Sequence, residues 1–414
     1  MKYRIIFLSA LDIWSMQEGV GAPSFFNTLQ LYAQQGHEVF LIKPTGKYHR
    51  EYSIDGVEIQ TFNQDFFDRF IRIRYISFFA RIGQALYQKI KFQSIGSKLI
   101  KNANQKCIVY AYEVGGVSAA RALHKKYKVP FITRFQGTVL CNVKNTFGNR
   151  LRRYPHFQAL AQSSNMVIMT DDGTLGNIVL RNLGNTTDRT FFWRNGVEAL
   201  TNKSRYSEAE LAALRSDCRS RYDISEDEIV LMTLCRLTNW KRIDRAITAL
   251  EETVRKHNHV KLVIVGEGEE KSKLIRMVKE KKLEPYVIFA GGIKQEETPK
   301  YYAMCDIFLS LYDLSNVGNP LLEALVYEKP IITLDNGGTS SVIQNGYNGI
   351  LIPLHEEKNI GNALIEVIGN AELRARLAKG AKKFAATELW TWQERMQTEY
   401  KEAMKMADAY YETH

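Results

Sequence analysis

Two cations, Arg236 and Lys241, stand five residues apart in "TLCRLTNWKRIDRAI", the first just after an apolar run and the second just before a helical pattern. At a strand-to-helix turn such a pair suits a diphosphate, because it would neutralise the charge that grows on a departing phosphate. Two solvated loop charges fit the same pattern. A second stretch, "SNVGNPLLEAL", runs from Ser315 and Asn316 through Gly318 and Asn319 into an apolar helix. Backbone N–H groups at a helix start bind anions. Glu323 in that helix has two readings, a partner for the helix dipole or an acceptor for ribose hydroxyls. A third stretch, "VIVGEGEEKSKL", ends a strand in Gly266, Glu267 and Gly268. It lets a ligand come close to the backbone, although such a glycine pair alone is a weak sign. Together the three segments describe a nucleotide-diphosphate site.

The first half of the chain offers softer signals. "EGVGAPSFF" places Gly19 and Gly21 in the turn after the first apolar run, where they admit a phosphate or sugar or merely serve the turn. "TRFQGT" ends a strand in Gln136 and Gly137, and "MTDDGT" ends another in Asp171 and Asp172. Polar clusters at strand C-termini are where an open sheet keeps its site. His257 and His259 lie in a charged loop and read as solvated. The five cysteines are widely spaced and form no C-x-x-C, which points to reduced thiols in a cytosolic protein without structural zinc.

These residues need elements to hold them. With 414 residues, 45% hydrophobic and 24% charged, the chain is an ordinary globular sequence, too long for one typical core. It contains no apolar window of membrane-spanning length, and "YRIIFLSA" reads as a buried first strand rather than a signal peptide. Apolar runs alternate with helical patterns in both halves: "YRIIFLSA", "HEVFLIKP", "CIVYAY", "VPFITRF" and "MVIMT", then "EIVLMTLCRL", "VKLVIVGEG", "YVIFAGG", "IFLSL", "KPIITLD" and "GILIP". Such runs imply parallel sheets covered on both faces. The expected fold is therefore α/β, two facing doubly wound domains with a cleft between them and a junction near residues 193–211.

The net charge of +11 is concentrated. Residues 69–101 carry eight Lys or Arg, no Asp or Glu, and six aromatic rings. That composition fits an element lying on an anionic membrane surface. A helix whose aromatic side is simply core fits it too. No nucleic-acid-binding motif accompanies the patch, so nucleic acid is not expected as a partner.

In their order and spacing, "GVGAPSFFNTLQLYAQQGHEVFLIKP", "FWRNGVE", "CRLTNWKRIDRAITAL", "LVIVGEGEEKSKL", "YYAMCDIFLSLYD" and "GNPLLEALVYEKPIITLDNGGTSSVIQNGYNGILIP" resemble the family 4 glycosyltransferases, retaining enzymes of GT-B fold. The resemblance implies an acceptor-side Rossmann-like domain over residues 1–198 and a nucleotide-sugar-binding one over 199–385. It also implies a final helix, 386–414, crossing back to the first domain. Arg236 and Lys241 would bind the donor diphosphate, Glu323 the ribose, and backbone amides of Asn319 to Leu322 the phosphates, with Gly19 and Gly21 in the loop facing donor and acceptor. No metal or other cofactor is implied. Two positions depart from the family pattern: Ser315 stands where the first glutamate of its E-x7-E motif falls, and Gln136 where its usual active-site histidine falls. The function implied is sugar transfer from a UDP-sugar to a glycan or glycolipid, in cell-surface polysaccharide or glycoconjugate synthesis, by a cytoplasmic protein peripheral to the membrane. A nucleotide-sugar-binding module that has lost catalysis and a UDP-sugar epimerase of the same fold are the alternatives.

Overall fold

Thirteen strands form two sheets in the computed structural model, which describes residues 2–11, 23–45, 53–71, 73, 75–314 and 316–414. The first sheet contains β1 (Arg4–Ser9), β2 (Glu38–Thr45), β3 (Val57–Asn63), β4 (Cys107–Tyr112), β5 (Phe131–Phe135), β6 (Met166–Thr170) and β7 (Thr190–Trp193). Their order is β3-β2-β1-β4-β5-β6-β7 and every neighbouring pair is parallel. The second contains β8 (Ile229–Leu234), β9 (Val260–Val265), β10 (Val287–Gly291), β11 (Ile307–Ser310), β12 (Ile331–Asp335) and β13 (Gly349–Pro353), in the order β10-β9-β8-β11-β12-β13, again all parallel.

The apolar runs mark the strands because helices cover both faces of each sheet. Ile5, Ile6, Phe7 and Leu8 on β1 are all fully buried, and so are Val230, Leu231 and Met232 on β8. Two strands go beyond the sequence reading. β3 and β7 are the edges of the first sheet; β3 mixes polar residues into its run and β7 is only four residues long.

The chain divides into two units: Met1–Asp171 with Leu175–Asn195 and Trp392–His414, and Asp172–Thr174 with Gly196–Thr391. The last helix, Trp392–Thr413, belongs to the first unit, where Ala403, Met406 and Ala407 join the core under β1, β2, β4 and β5. A charged cluster fixes it there. Glu399 accepts from Arg134 at 2.7 Å, from Arg395 at 2.9 Å and from Tyr110 at 2.6 Å, all buried.

The basic segment folds mainly as the helix Ser77–Lys101, whose two faces differ. Phe92 and Leu99 are buried in the first unit's core, while Phe79, Leu86 and Ile90 are exposed. Among the described residues no helix is long and apolar enough to cross a membrane, and all five cysteines are thiols.

Candidate functional site

In a doubly wound sheet the strand order reverses once, and the loops leaving the two strands at that point splay apart to make a crevice. In the second unit the reversal lies between β8 and β11, which pair through Ile307 with Leu231 and Phe308 with Met232. The loop after β8 carries Arg236 and Lys241; the loop after β11 leads to Glu323. Segments more than seventy residues apart in sequence thus meet, and the Asp313 amide donates to the Trp240 carbonyl at 2.9 Å.

The first loop continues the strand's alternation. Cys235 and Leu237 turn inward and are buried, which puts Arg236 on the exposed side. After a short turn, Asn239–Lys241, Arg242 takes a left-handed conformation (φ 49°) and the helix Ile243–Thr253 begins. Lys241 is half-buried. Its ammonium lies 3.7 Å from the centroid of the Tyr312 ring and 4.2 Å from that of Trp240. Among the described residues no carboxylate pairs with it. Burial, reinforced by the neighbouring Arg236 and opposed by Cys235 and Asp172, pulls its pKa down to about 8. The Thr238 hydroxyl in the same loop is buried without a hydrogen-bond partner among the described residues. A cation held on aromatic faces beside an orphaned hydroxyl is an arrangement that an incoming anion completes.

The glycine segment has a structural task. Gly266 has φ 138°, and a Cβ there would sit 1.8 Å from the Cys235 carbonyl oxygen. The close approach it permits is to the chain itself: Leu237 donates to the Glu267 carbonyl at 2.9 Å, locking the two loops together.

The second loop is tied down by amides. Asn316, expected at the donor, is buried; its oxygen accepts from the Tyr312 amide at 3.0 Å and its NH2 donates to the Tyr312 carbonyl at 2.9 Å. Its side chain therefore shapes the loop from within. Ser315, Gly19 and Gly21 lie outside the described residues. Gly318 precedes the helix Asn319–Val326, which no side chain caps. Of the amides expected from Asn319 to Leu322, Pro320 has no N–H, and those of Leu321 and Leu322 both donate to the Gly318 carbonyl, at 3.1 and 3.3 Å. The amides of Leu321 and Leu322 are thus committed within the chain.

Glu323 sits in the second turn of that helix, beyond the reach of a first-turn dipole effect. Only 9% exposed, it accepts from the Tyr302 hydroxyl at 2.9 Å, and Tyr302 stacks on Tyr327. Burial raises its pKa to about 7 against the pull of that hydrogen bond. It is a buried acceptor rather than a surface charge.

In the first unit the strand order reverses between β1 and β4. Gln136, just after β5, donates its amide to the Tyr112 hydroxyl at 2.8 Å. An amide does not titrate, so it orients without exchanging protons. Beside it lies a residue that motif reading passes over. Glu113 follows β4 at φ 68°, ψ 171°, a strained conformation for any residue but glycine, and its carboxylate accepts from the Gln136 backbone N–H at 2.6 Å. A signal was present in the sequence: between Arg69 and Thr170, Glu113 is the single acidic residue.

Residues 215–384 match the family model described as glycosyl transferases group 1. An alpha-monoglucosyldiacylglycerol synthase from Acholeplasma laidlawii is 28% identical over 180 residues, 44% of this chain and 44% of that protein. An N-acetyl-alpha-D-glucosaminyl L-malate synthase from Bacillus anthracis is 29% identical over 165 residues, 40% of this chain and 42% of that one. In both, the match spans less than half of the relative's length. The solved structure of Anabaena HepE in complex with UDP has a TM-score of 0.68 at 14% identity, covering 98% of this chain and 100% of its own. The fold is thus that of the GT-B enzymes, as the motifs implied.

Proposed function

We propose that this chain, a group 1 glycosyltransferase by the sequence of its second unit, transfers a sugar with retention from a UDP-sugar to a glycan or glycolipid acceptor. One observation carries the reading: the half-buried Lys241 ammonium, without a carboxylate partner among the described residues, at the β8–β11 reversal. A diphosphate supplies the missing charge. Arg236 and Lys241 then stabilise the negative charge that gathers on the leaving nucleoside diphosphate as the C1–O bond breaks. The acceptor oxygen bonds to C1 on the same face, and its proton passes to the departing phosphate oxygen. Glu323 accepts from the ribose hydroxyls, and the Gly318–Asn319 end donates to phosphate. This set of cations and amides asks for no metal. Support for a UDP donor and a glycan or lipid acceptor comes from the UDP held by HepE and from the relatives' names.

The reading includes work at the cytoplasmic face of an anionic membrane, which the exposed Tyr75, Phe79, Leu86 and Ile90 among the basic residues of 69–101 support. Binding to anionic vesicles should weaken as salt rises. The direct test is nucleotide release from a panel of UDP-, GDP- and ADP-sugars with lipid and glycan acceptors. Release of UDP from a particular donor is the expected result. A chain that binds UDP but releases none from any donor is a binding module instead.

A further inference from the structure

Three helices of the first unit, Ser77–Lys101, Val114–Tyr127 and Tyr154–Leu160, contribute to a surface pocket of about 550 Å³. Lys89, Ser118, Arg121, Lys125, Gln158 and Gln162 line it. We propose that this pocket binds a phosphate monoester, a role independent of whether the second unit transfers a sugar.

The charge balance is the first argument. Between Arg69 and Thr170 the sequence carries eighteen Lys and Arg against the lone Glu113, an excess larger than the +11 of the whole chain. The three helices contain no acidic residue at all. Lys89, Arg121 and Lys125 therefore converge on one cavity with no carboxylate on any of its walls, and among the described residues none of them forms an ion pair. Three uncompensated cations around a concave surface focus a positive field that a dianion relieves.

The neutral groups are the second argument. Ser118 donates to the Gln158 side-chain oxygen at 2.9 Å, which turns the Gln158 NH2 away from Ser118; among the described residues that NH2 has no acceptor. Gln162, buried, donates to the Gln158 backbone carbonyl at 3.2 Å and supports it from below. An arginine fork, two ammonium groups and a fixed amide donor match the three oxygens of a phosphate monoester better than the two free oxygens of a diester.

The same chemistry occurs in a soluble phosphate and in a lipid headgroup. Phe79, Leu86 and Ile90, 71%, 56% and 63% exposed, recur at seven- and four-residue spacing on the helix that supplies Lys89. They give that helix an apolar stripe beside the cationic pocket.

The test titrates glycerol 3-phosphate into protein carrying Lys241→Ala, so that the anion site of the second unit stays silent. The triple variant Lys89→Gln/Arg121→Gln/Lys125→Gln is compared with a control triple of exposed lysines in the second unit, Lys256→Gln/Lys279→Gln/Lys383→Gln. Saturable binding should survive in the control and fall on the order of a hundredfold in the pocket variant. Thermal melts establish that both are folded. Vesicles of phosphatidylcholine with phosphatidic acid, or with phosphatidylglycerol at matched surface charge, then separate the sources. A preference for phosphatidic acid that the pocket variant loses assigns the site to a lipid headgroup. Glycerol 3-phosphate binding without that preference assigns it to a soluble phosphate. The proposal is overturned if the folded pocket variant binds glycerol 3-phosphate as the control does, or if neither probe binds the pocket.

Discussion

In the proposed donor site Lys241 is the central residue, because burial has pulled its pKa down to about 8 and an anion beside it would offset that cost. Replacing Lys241 or Arg236 by Ala should leave the fold intact and lower turnover by about 10²–10³, the usual loss for one charge-stabilising contact. The alkaline limb follows from the chemistry. Below a pH of about 8 the Lys241 ammonium is charged and above it the amine is neutral, so in the proposed site donor affinity should drop above that pH. The profile of kcat/KM against pH, which reports the free enzyme, should show that limb, and Lys241→Arg should remove it. An unchanged limb in the arginine variant would mean that another group titrates. Glu323 runs the other way. Its carboxyl is raised to about 7, so the neutral form is favoured by folding. The stability this represents is complete below the ordinary carboxylate range and is lost as the pH rises through about 7. Glu323→Gln should match the parent in acid and exceed it by up to about 3 kcal/mol near pH 8 in denaturant melts, while weakening UDP binding at both. A variant that gains stability yet binds UDP unchanged would make Glu323 a structural group only.

At the scale of elements, the last helix is held by charge as much as by packing. Burial opposes the ionisation of Glu399, but Arg134 and Arg395 outweigh it and keep the carboxyl below its usual range. Its ion pairs therefore stabilise the fold above the ordinary carboxylate range, and that stabilisation is lost as the pH falls through the lowered value. Glu399→Ala leaves two arginines buried without their shared partner and should cost about 3–5 kcal/mol, read as a lower denaturation midpoint. A cost within the range of a surface substitution would show that water reaches the cluster. The donor loops illustrate the complementary device, neutral groups that fix the backbone. Asn316 and Asn336 bind the carbonyls of Tyr312, and Asn336 also that of Asp313, while Arg245 reaches the Asp313 carboxylate at 2.8 Å. These contacts tie Tyr312 and Asp313 to side chains from three other positions.

At the scale of the whole molecule, each unit has its own sheet, its own strand-order reversal and its own core. Arg236, Lys241, Gly318, Asn319 and Glu323 all belong to the second unit. A fragment of residues 196–391 should therefore fold alone, bind UDP with nearly the affinity of the full chain, and release none from a UDP-sugar. Calorimetric titration of the fragment decides this; a folded fragment without UDP affinity would place essential contacts in the first unit. Charge is divided in the same way. The first unit's span from Arg69 to Thr170 is strongly basic and the rest of the chain is acidic overall, so the positive charge is concentrated in one unit.

What the sequence determined by itself was whatever local pattern writes. Strands that write an unbroken apolar run are legible, and these are all six of the second sheet, its half-buried edges β10 and β13 included, and the five inner ones of the first. The edges β3 and β7 are not, because β3 mixes polar residues into its run and β7 is only four residues long. Arg236 and Lys241 were legible as a pair because they share one turn. The tertiary structure decided what distant residues do to one another. Asn316 faces inward because Tyr312 offers its amide and carbonyl, and Gly266 is obligatory because Cys235 leaves no room for a side chain. Glu323 is neutral-leaning because the helix that bears it is buried on its side, and Glu113 is strained because it follows a strand at the reversal. Burial, contact and strain are relations between segments, and a linear pattern records only the residues that enter into them.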